Sequence, residues 1–172
     1  QVAFTVNSFS IMPAFAFGVA ATTLVGQNLG AKNPERAEQS AHQALKDGTL
    51  WMVVMGVAFV IWREPLVQLF TSDPDVWQPA QMCLMFIALS QPVLAVSMVL
   101  SSALRGAGDT RATLLITFAG IWLVRVAAGY FLGIVLGLGL FGMWIAWTSD
   151  WVVRAVLVTL RFRTGRWKML RV

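Results

Sequence analysis

Apolar residues fill five long stretches of this chain, and short polar connections separate them. The stretches cover residues 3–25, 46–62, 76–104, 112–135 and 141–160. At about 1.5 Å of rise per residue, a helix of about 20 apolar residues crosses a hydrocarbon core about 30 Å thick. The second stretch is short, so we expect its helix to begin earlier, at the cap and first-turn signal Asn33-Pro34. The pattern predicts an all-α integral membrane protein with five transmembrane helices.

Composition agrees with residence in lipid. Of the 172 residues, 58% are hydrophobic and 12% are charged, whereas a soluble domain carries roughly 25% charged residues. The net charge of +5 does not indicate nucleic acid as a partner, because no basic stripe with interleaved aromatic residues is present. The lone Cys83 lies inside an apolar run, so we expect it to be buried. The predicted partner is therefore the lipid bilayer.

The basic residues predict the orientation. Three lie in the first connection, two in the third and five in the C-terminal tail, residues 161–172, whereas the second connection holds only Arg63. Because cytoplasmic connections are enriched in Lys and Arg, this asymmetry places the C-terminus in the cytoplasm, and an odd number of spans then places the N-terminus outside. We expect a multi-pass protein of the plasma (inner) membrane.

Three ionisable residues lie within the predicted spans: Arg125 in the fourth, and Asp150 and Arg154 in the fifth. Asp150 and Arg154 are four residues apart and can pair along one helix face. Counting residues from the span ends places Arg125 and Asp150 at similar depth. Two roles stay open for this intramembrane charge network: a structural link between two helices, or direct participation in ion coupling or substrate binding.

Polar and helix-bending residues at membrane depth are candidates for a cavity lining. Asn7 and Gln91 carry amides that can form hydrogen bonds between helices. Pro13 and Pro92 each remove a backbone donor, and broken or bent helices often border cavities. No pattern typical of a catalytic nucleophile, a phosphate-binding loop or a metal site occurs, so we expect neither an enzyme nor a metal protein.

The polar connections carry motifs that are similar, in order, to those of one transporter family. Residues 26–33 read GQNLGAKN and residues 104–111 read LRGAGDTR; the last connection reads GLFGMW from Gly139, and the tail begins RFRTGRW at Arg161. This series resembles the MATE family (multidrug and toxic compound extrusion). The residues that carry the two main motifs are Gly26, Gln27, Gly30, Arg105, Gly106, Gly108 and Asp109.

The resemblance implies a twelve-helix transporter built of two six-helix lobes, of which this chain is the C-terminal lobe without its first helix. It implies export of organic cations or amphipathic compounds in exchange for H⁺ or Na⁺. The small-molecule substrates and the N-terminal lobe of the full-length chain are then further partners. No other cofactor is implied.

One position departs from the NorM branch of that family, which carries an acidic residue about ten positions before the LRG motif. Leu94 stands there in this chain. The chain therefore resembles the DinF branch more closely, and the coupling ion is expected to bind mainly to the missing N-terminal lobe. The alternatives are a lipid-linked oligosaccharide flippase of the same superfamily, suggested by Arg125 and Arg154, a non-transporting membrane assembly subunit, and a membrane-embedded enzyme.

Overall fold

Helices make up all the regular structure in residues 2–69 and 74–169, which are the residues that the computed structural model describes. The helices are α1 (Val2–Gly30), α2 (Pro34–Ile61), α3 (Arg63–Gln68), α4 (Pro74–Gly106), α5 (Thr110–Val135) and α6 (Gly139–Arg163), followed by a 3-10 turn (Arg166–Met169). The last three residues of the predicted tail lie outside the described residues.

Four of the helices are long and apolar enough to cross a membrane, namely α1 from Asn7, α2, α4 from Pro79, and α5. The fifth predicted span corresponds to α6, which has 25 residues but is not one of these four. Its length suffices for a bilayer. Asp150, Arg154 and their polar neighbours lower its mean hydropathy, and the same residues form the candidate site described below.

The polar start and the apolar span of α2 form one continuous helix, as predicted. The Asn33 side chain accepts a hydrogen bond of 3.1 Å from the Arg36 backbone amide, and Pro34 occupies the first helical turn. The apolar residues after position 46 therefore continue a helix that has already begun, which gives α2 its 28 residues.

The end of α1 differs from the sequence prediction. The first predicted stretch ends at residue 25, but α1 continues to Gly30. The helix continues because Gly26 lies against α4: a Cβ on Gly26 would lie 3.1 Å from the Gly106 carbonyl oxygen. Glycine here permits close packing of two helices rather than a turn.

A tightly packed group of small and branched residues lies where α1, α2, α4 and α6 meet. Its members include Ala21, Val25, Ala41, Val99, Ala103, Leu104 and Val158, all buried. Helix α5 packs mainly on α6, and it exposes large apolar side chains such as Leu115, Trp122 and Leu123. A membrane protein presents such a surface to lipid rather than to water.

The C-terminal turn is fastened to the rest of the lobe. Trp167 is completely buried, stacks on Phe162 and donates an indole hydrogen bond of 2.8 Å to the Phe162 carbonyl. Lys168 pairs with Glu38 of α2 at 2.6 Å. The turn therefore closes the end of the helix bundle on which the basic residues are concentrated.

Candidate functional site: an intramembrane charge network

The three charges predicted within the spans meet between α5 and α6. One carboxylate oxygen of Asp150, Oδ2, lies 2.5 Å from Nη2 of Arg125 and 2.6 Å from Nη2 of Arg154. Asp150 is completely buried, and the side chain of Arg154 is 10% exposed. Arg125 reaches Asp150 from the neighbouring helix and keeps 34% of its side chain exposed.

The local structure of α5 makes this approach possible. Arg125 lies in a π-helical stretch, Ala119–Val126. This conformation is rare in proteins overall, but where it occurs it is often at a functional site. Gly120 in the same stretch leaves room for the network: a Cβ there would overlap Asp150 Oδ1 and lie 2.5 Å from Arg154 Cγ. The face of α5 that carries Gly120 thus packs directly against the charged side chains of α6.

Aromatic rings shield the network on the α6 side. The guanidinium carbon of Arg154 lies 3.9 Å from the centre of the Trp151 ring, and that of Arg125 lies 6.0 Å from it. Trp151 contacts Trp147, which contacts Trp144, in a ladder of edge-to-face rings along α6. A cation over an indole face gains further stabilisation when water is excluded.

The network is electrostatically incomplete by itself. Two guanidinium groups share one carboxylate, which leaves one positive charge over. Within the described part of the chain, Asp150 Oδ1, Arg125 Nε and Arg154 Nε are buried without a hydrogen-bond partner. The contact between α5 and α6 depends on the carboxylate, since its removal would leave the largely buried Arg154 and the partly exposed Arg125 unpaired.

The amides of Asn7 and Gln91 also meet, but inside the lobe. The Gln91 side-chain nitrogen donates to Asn7 Oδ1 at 3.0 Å, and Ser10 donates to Gln91 Oε1 at 2.9 Å. Gln91 is completely buried and Asn7 almost so. In this structure the two amides bond α1 to α4 inside the lobe, and a cavity-lining role for them stays a prediction.

Ser10 was not among the predicted residues, although it lies one helical turn from Asn7 on the same face of α1. Trp51 of α2 donates to the Ser10 carbonyl at 3.2 Å, which brings a third helix into the contact. Pro13 and Pro92 lie inside continuous helices. Pro92 borders a groove between α4 and α6.

We expect Gln91→Leu to lower the stability of the lobe by about 1 kcal/mol, because hydrogen bonds between membrane helices contribute roughly 0.6 kcal/mol each and this amide makes two. Thermal unfolding of the purified protein in detergent measures the effect. Gln81→Leu, on the same helix, is the matched control. Equal unfolding temperatures for the two variants would show that the Gln91 bonds are not formed.

The residues of the first and third polar connections pack the ends of α1 and α4 together. A Cβ on Gly106 would overlap the Thr22 carbonyl oxygen and lie 2.8 Å from its Cα. Arg105 donates to Ser102 at 2.8 Å, and Gly108 has a φ of 79°, which favours glycine. Gln27 is exposed, and Gly30 faces open space.

The Asp109 side chain does not cap the helix that follows it. It occupies the N-cap position of α5, but its side chain makes no capping hydrogen bond. Its carboxylate instead accepts a hydrogen bond of 2.7 Å from Arg161 at the end of α6. This carboxylate raises the pKa of Arg161, so the pair joins α5 to α6 at the basic end of the bundle.

Leu94, where the NorM branch carries an acid, is buried among Ala14, Met52 and Ala95. A carboxylate in that apolar setting would be costly without a partner. Among the described residues, no group of three or more His, Cys, Asp or Glu side chains is arranged to hold a metal ion.

Comparison with known proteins decides the family. The model of the MatE family matches residues 1–131 of the chain. The chain belongs to the MatE family. As a member of it, and with its long apolar helices, it is a multi-pass membrane protein.

Relatives of this MatE chain are named as multidrug resistance proteins. A probable multidrug resistance protein NorM of Thermotoga maritima is 35% identical over 168 residues, which is 98% of this chain and 36% of that protein. The multidrug resistance protein MdtK of Yersinia pestis (strain Pestoides F) is 34% identical over 95% of this chain and 36% of its own length. The chain thus spans about a third of the length of these relatives, and its resemblance to the DinF branch stays a prediction.

The fold is that of a solved transporter. The crystal structure of the eukaryotic MATE transporter AtDTX14 superposes with a TM-score of 0.91 and 25% identity, over 98% of this chain and 38% of that one. The described helices therefore have the arrangement of part of a larger transporter.

Proposed function

We propose that this MatE chain forms the C-terminal lobe, without its first helix, of a secondary active multidrug exporter. The observation that carries the proposal is the 35% identity, over nearly the whole chain, to a protein named for multidrug resistance. Its substrates are organic cations or amphipathic compounds, which leave the cell in exchange for H⁺ or Na⁺. The protein lies in the inner membrane with its C-terminus in the cytoplasm, as the basic residues predict.

The N-terminal lobe of the full-length protein completes the transport pathway and holds most of the coupling-ion site. Two features support this division. Leu94 leaves α4 without the acidic residue of the NorM branch, and Asp150 is already bound by two arginines. A carboxylate so engaged is poorly suited to exchanging a cation at each cycle.

The charge network has a structural role in this proposal. It joins α5 to α6, which otherwise contact each other through apolar residues and the peripheral pair Asp109–Arg161. The lipid-linked oligosaccharide flippase is the alternative that the surplus positive charge favours, because such a substrate carries phosphate. Both network arginines pair with Asp150, but Arg154 is nearly buried whereas Arg125 keeps 34% of its side chain exposed, so of the two only Arg125 could reach such a phosphate.

Drug efflux from proteoliposomes tests the proposal. A sodium gradient and a proton gradient are imposed in separate experiments. The full-length protein is expected to expel a fluorescent organic cation under one of the two gradients. The 172-residue chain alone should show no coupled efflux, since alternating access requires two lobes around a shared site. Coupled efflux by this chain alone, or transport of an oligosaccharide lipid by the full-length protein without drug efflux, would overturn it.

A further inference from the structure

An apolar groove runs along one side of the bundle, over α2, α4 and α6. Three adjoining cavities form it, with volumes of about 440, 720 and 300 Å³. Thr49 and Val96 line both the first and the second, and Pro92 lines both the first and the third. Because the cavities share these residues, we treat them as one feature, the lateral groove.

The lateral groove is charged only at one end. Lys46 and Arg163 lie there, both exposed, together with His42. Neither Lys46 nor Arg163 forms an ion pair within the described part of the chain. The nearby acids are engaged elsewhere: Asp47 accepts two hydrogen bonds from Gln43, and Glu38 pairs with Lys168. Two cations at this end are therefore available to an anion.

The lining of the lateral groove changes from charged to polar to apolar along α2. Thr49 lies three residues beyond Lys46, about 4.5 Å deeper along the helix, and its hydroxyl has no hydrogen-bond partner among the described residues. From Thr49 to Ile61 the lining is apolar and extends about 18 Å. One leaflet of the hydrocarbon core is about 15 Å thick, so the apolar part matches the length of a lipid tail.

We propose that the lateral groove binds an anionic phospholipid of the cytoplasmic leaflet. The phosphate lies between Lys46 and Arg163, the ester region reaches Thr49, and one acyl chain follows the apolar lining toward Ile61. Basic side chains at the cytoplasmic ends of membrane helices attract anionic headgroups, and the order of charge, hydroxyl and apolar surface is that of a phospholipid. This inference depends on the proposed membrane orientation but not on the exporter activity.

Native mass spectrometry of the full-length protein in detergent tests the lipid. Phosphatidylglycerol should bind in preference to phosphatidylcholine with the same acyl chains. The double variant Lys46→Gln/Arg163→Gln should lower phosphatidylglycerol affinity about 30-fold, because each basic residue near an anionic surface contributes about 5-fold. The matched control is Arg36→Gln/Arg111→Gln, which removes two exposed charges from the same predicted side outside the groove and should leave the affinity within about 2-fold of the unchanged protein.

A second pair of variants tests the apolar part without altering charge. Val96→Phe fills the junction of the cavities and should displace the bound lipid, whereas Val126→Phe, on an exposed face of α5, should not. Absence of a headgroup preference, or equal affinity of the charge variants and their control, would overturn the proposal. The proposal would also be overturned if the upstream part of the full-length protein covered the groove. Val96→Phe would then leave lipid binding unchanged. Drug efflux is measured separately, so either proposal can fail alone.

Discussion

Replacing Asp150 by asparagine is expected to reduce the yield of folded protein sharply, while the molecules that do fold retain most of their transport. The substitution leaves Arg125 and Arg154 without the carboxylate that both contact, and removing one partner of a buried ion pair costs about 3–5 kcal/mol. Fluorescence-detected size-exclusion chromatography measures the folded yield of the full-length protein. Efflux per folded molecule is then measured in proteoliposomes.

Asp47→Asn is the control for this experiment, because among the described residues Asp47 of α2 pairs with no cation and accepts hydrogen bonds from Gln43, so its loss should leave the yield unchanged. Adding Arg125→Gln to Asp150→Asn restores the net charge of the network to its original value and should recover part of the yield. Coupling of this kind is what a double-mutant cycle detects. Normal yield of Asp150→Asn with abolished efflux would instead place Asp150 in ion coupling or substrate binding.

Gly106→Ala should be the second severely disruptive change, although it adds a single methyl group. That group would overlap the Thr22 carbonyl oxygen and approach two further backbone atoms of Thr22, at 2.8 and 2.9 Å. Backbone atoms cannot move aside as a side chain can, so α1 and α4 must separate. Overpacking of this kind costs about 1–3 kcal/mol or more, and we expect a correspondingly lower unfolding temperature of the full-length protein in detergent.

Gly30→Ala provides the matched comparison, because nothing lies within 4 Å of the position that its Cβ would occupy. Alanine also has a higher helix propensity than glycine, so this variant should unfold at the same temperature as the unchanged protein or slightly above it. If the two glycine variants unfold alike, α1 and α4 do not approach as closely as the structure shows.

The positions of the long helices were predictable because the bilayer restricts which residues a span and a connection can carry. A span must be apolar over its full length, and a connection must carry polar residues and helix caps. The ends were less predictable. Helix α1 continues through Gly26 because that glycine faces α4, and nothing in the local sequence distinguishes a glycine that packs from one that turns.

The charge network was predictable in outline from two facts, the four-residue spacing of Asp150 and Arg154 and the similar depth of Arg125. Side-chain contacts that depend on the rotation of a helix about its own axis were not predictable. Helix α1 is apolar on nearly all sides, so its sequence does not indicate that Ser10 and Asn7 face Gln91. The pairing of Asp109 with Arg161 escaped prediction for a related reason: a residue at a helix start satisfies the pattern of an N-cap whether or not its side chain bonds locally.

The buried position of Trp167 has a consequence for biogenesis. This residue follows all five long helices in the sequence, so the ribosome adds it after the membrane-spanning part has been made. Until then Phe162 lacks its stacking partner, and Glu38 lacks its cation. The basic end of the lobe is therefore completed last, and we expect a nascent chain that stops before Trp167 to leave that end open to quality-control proteases.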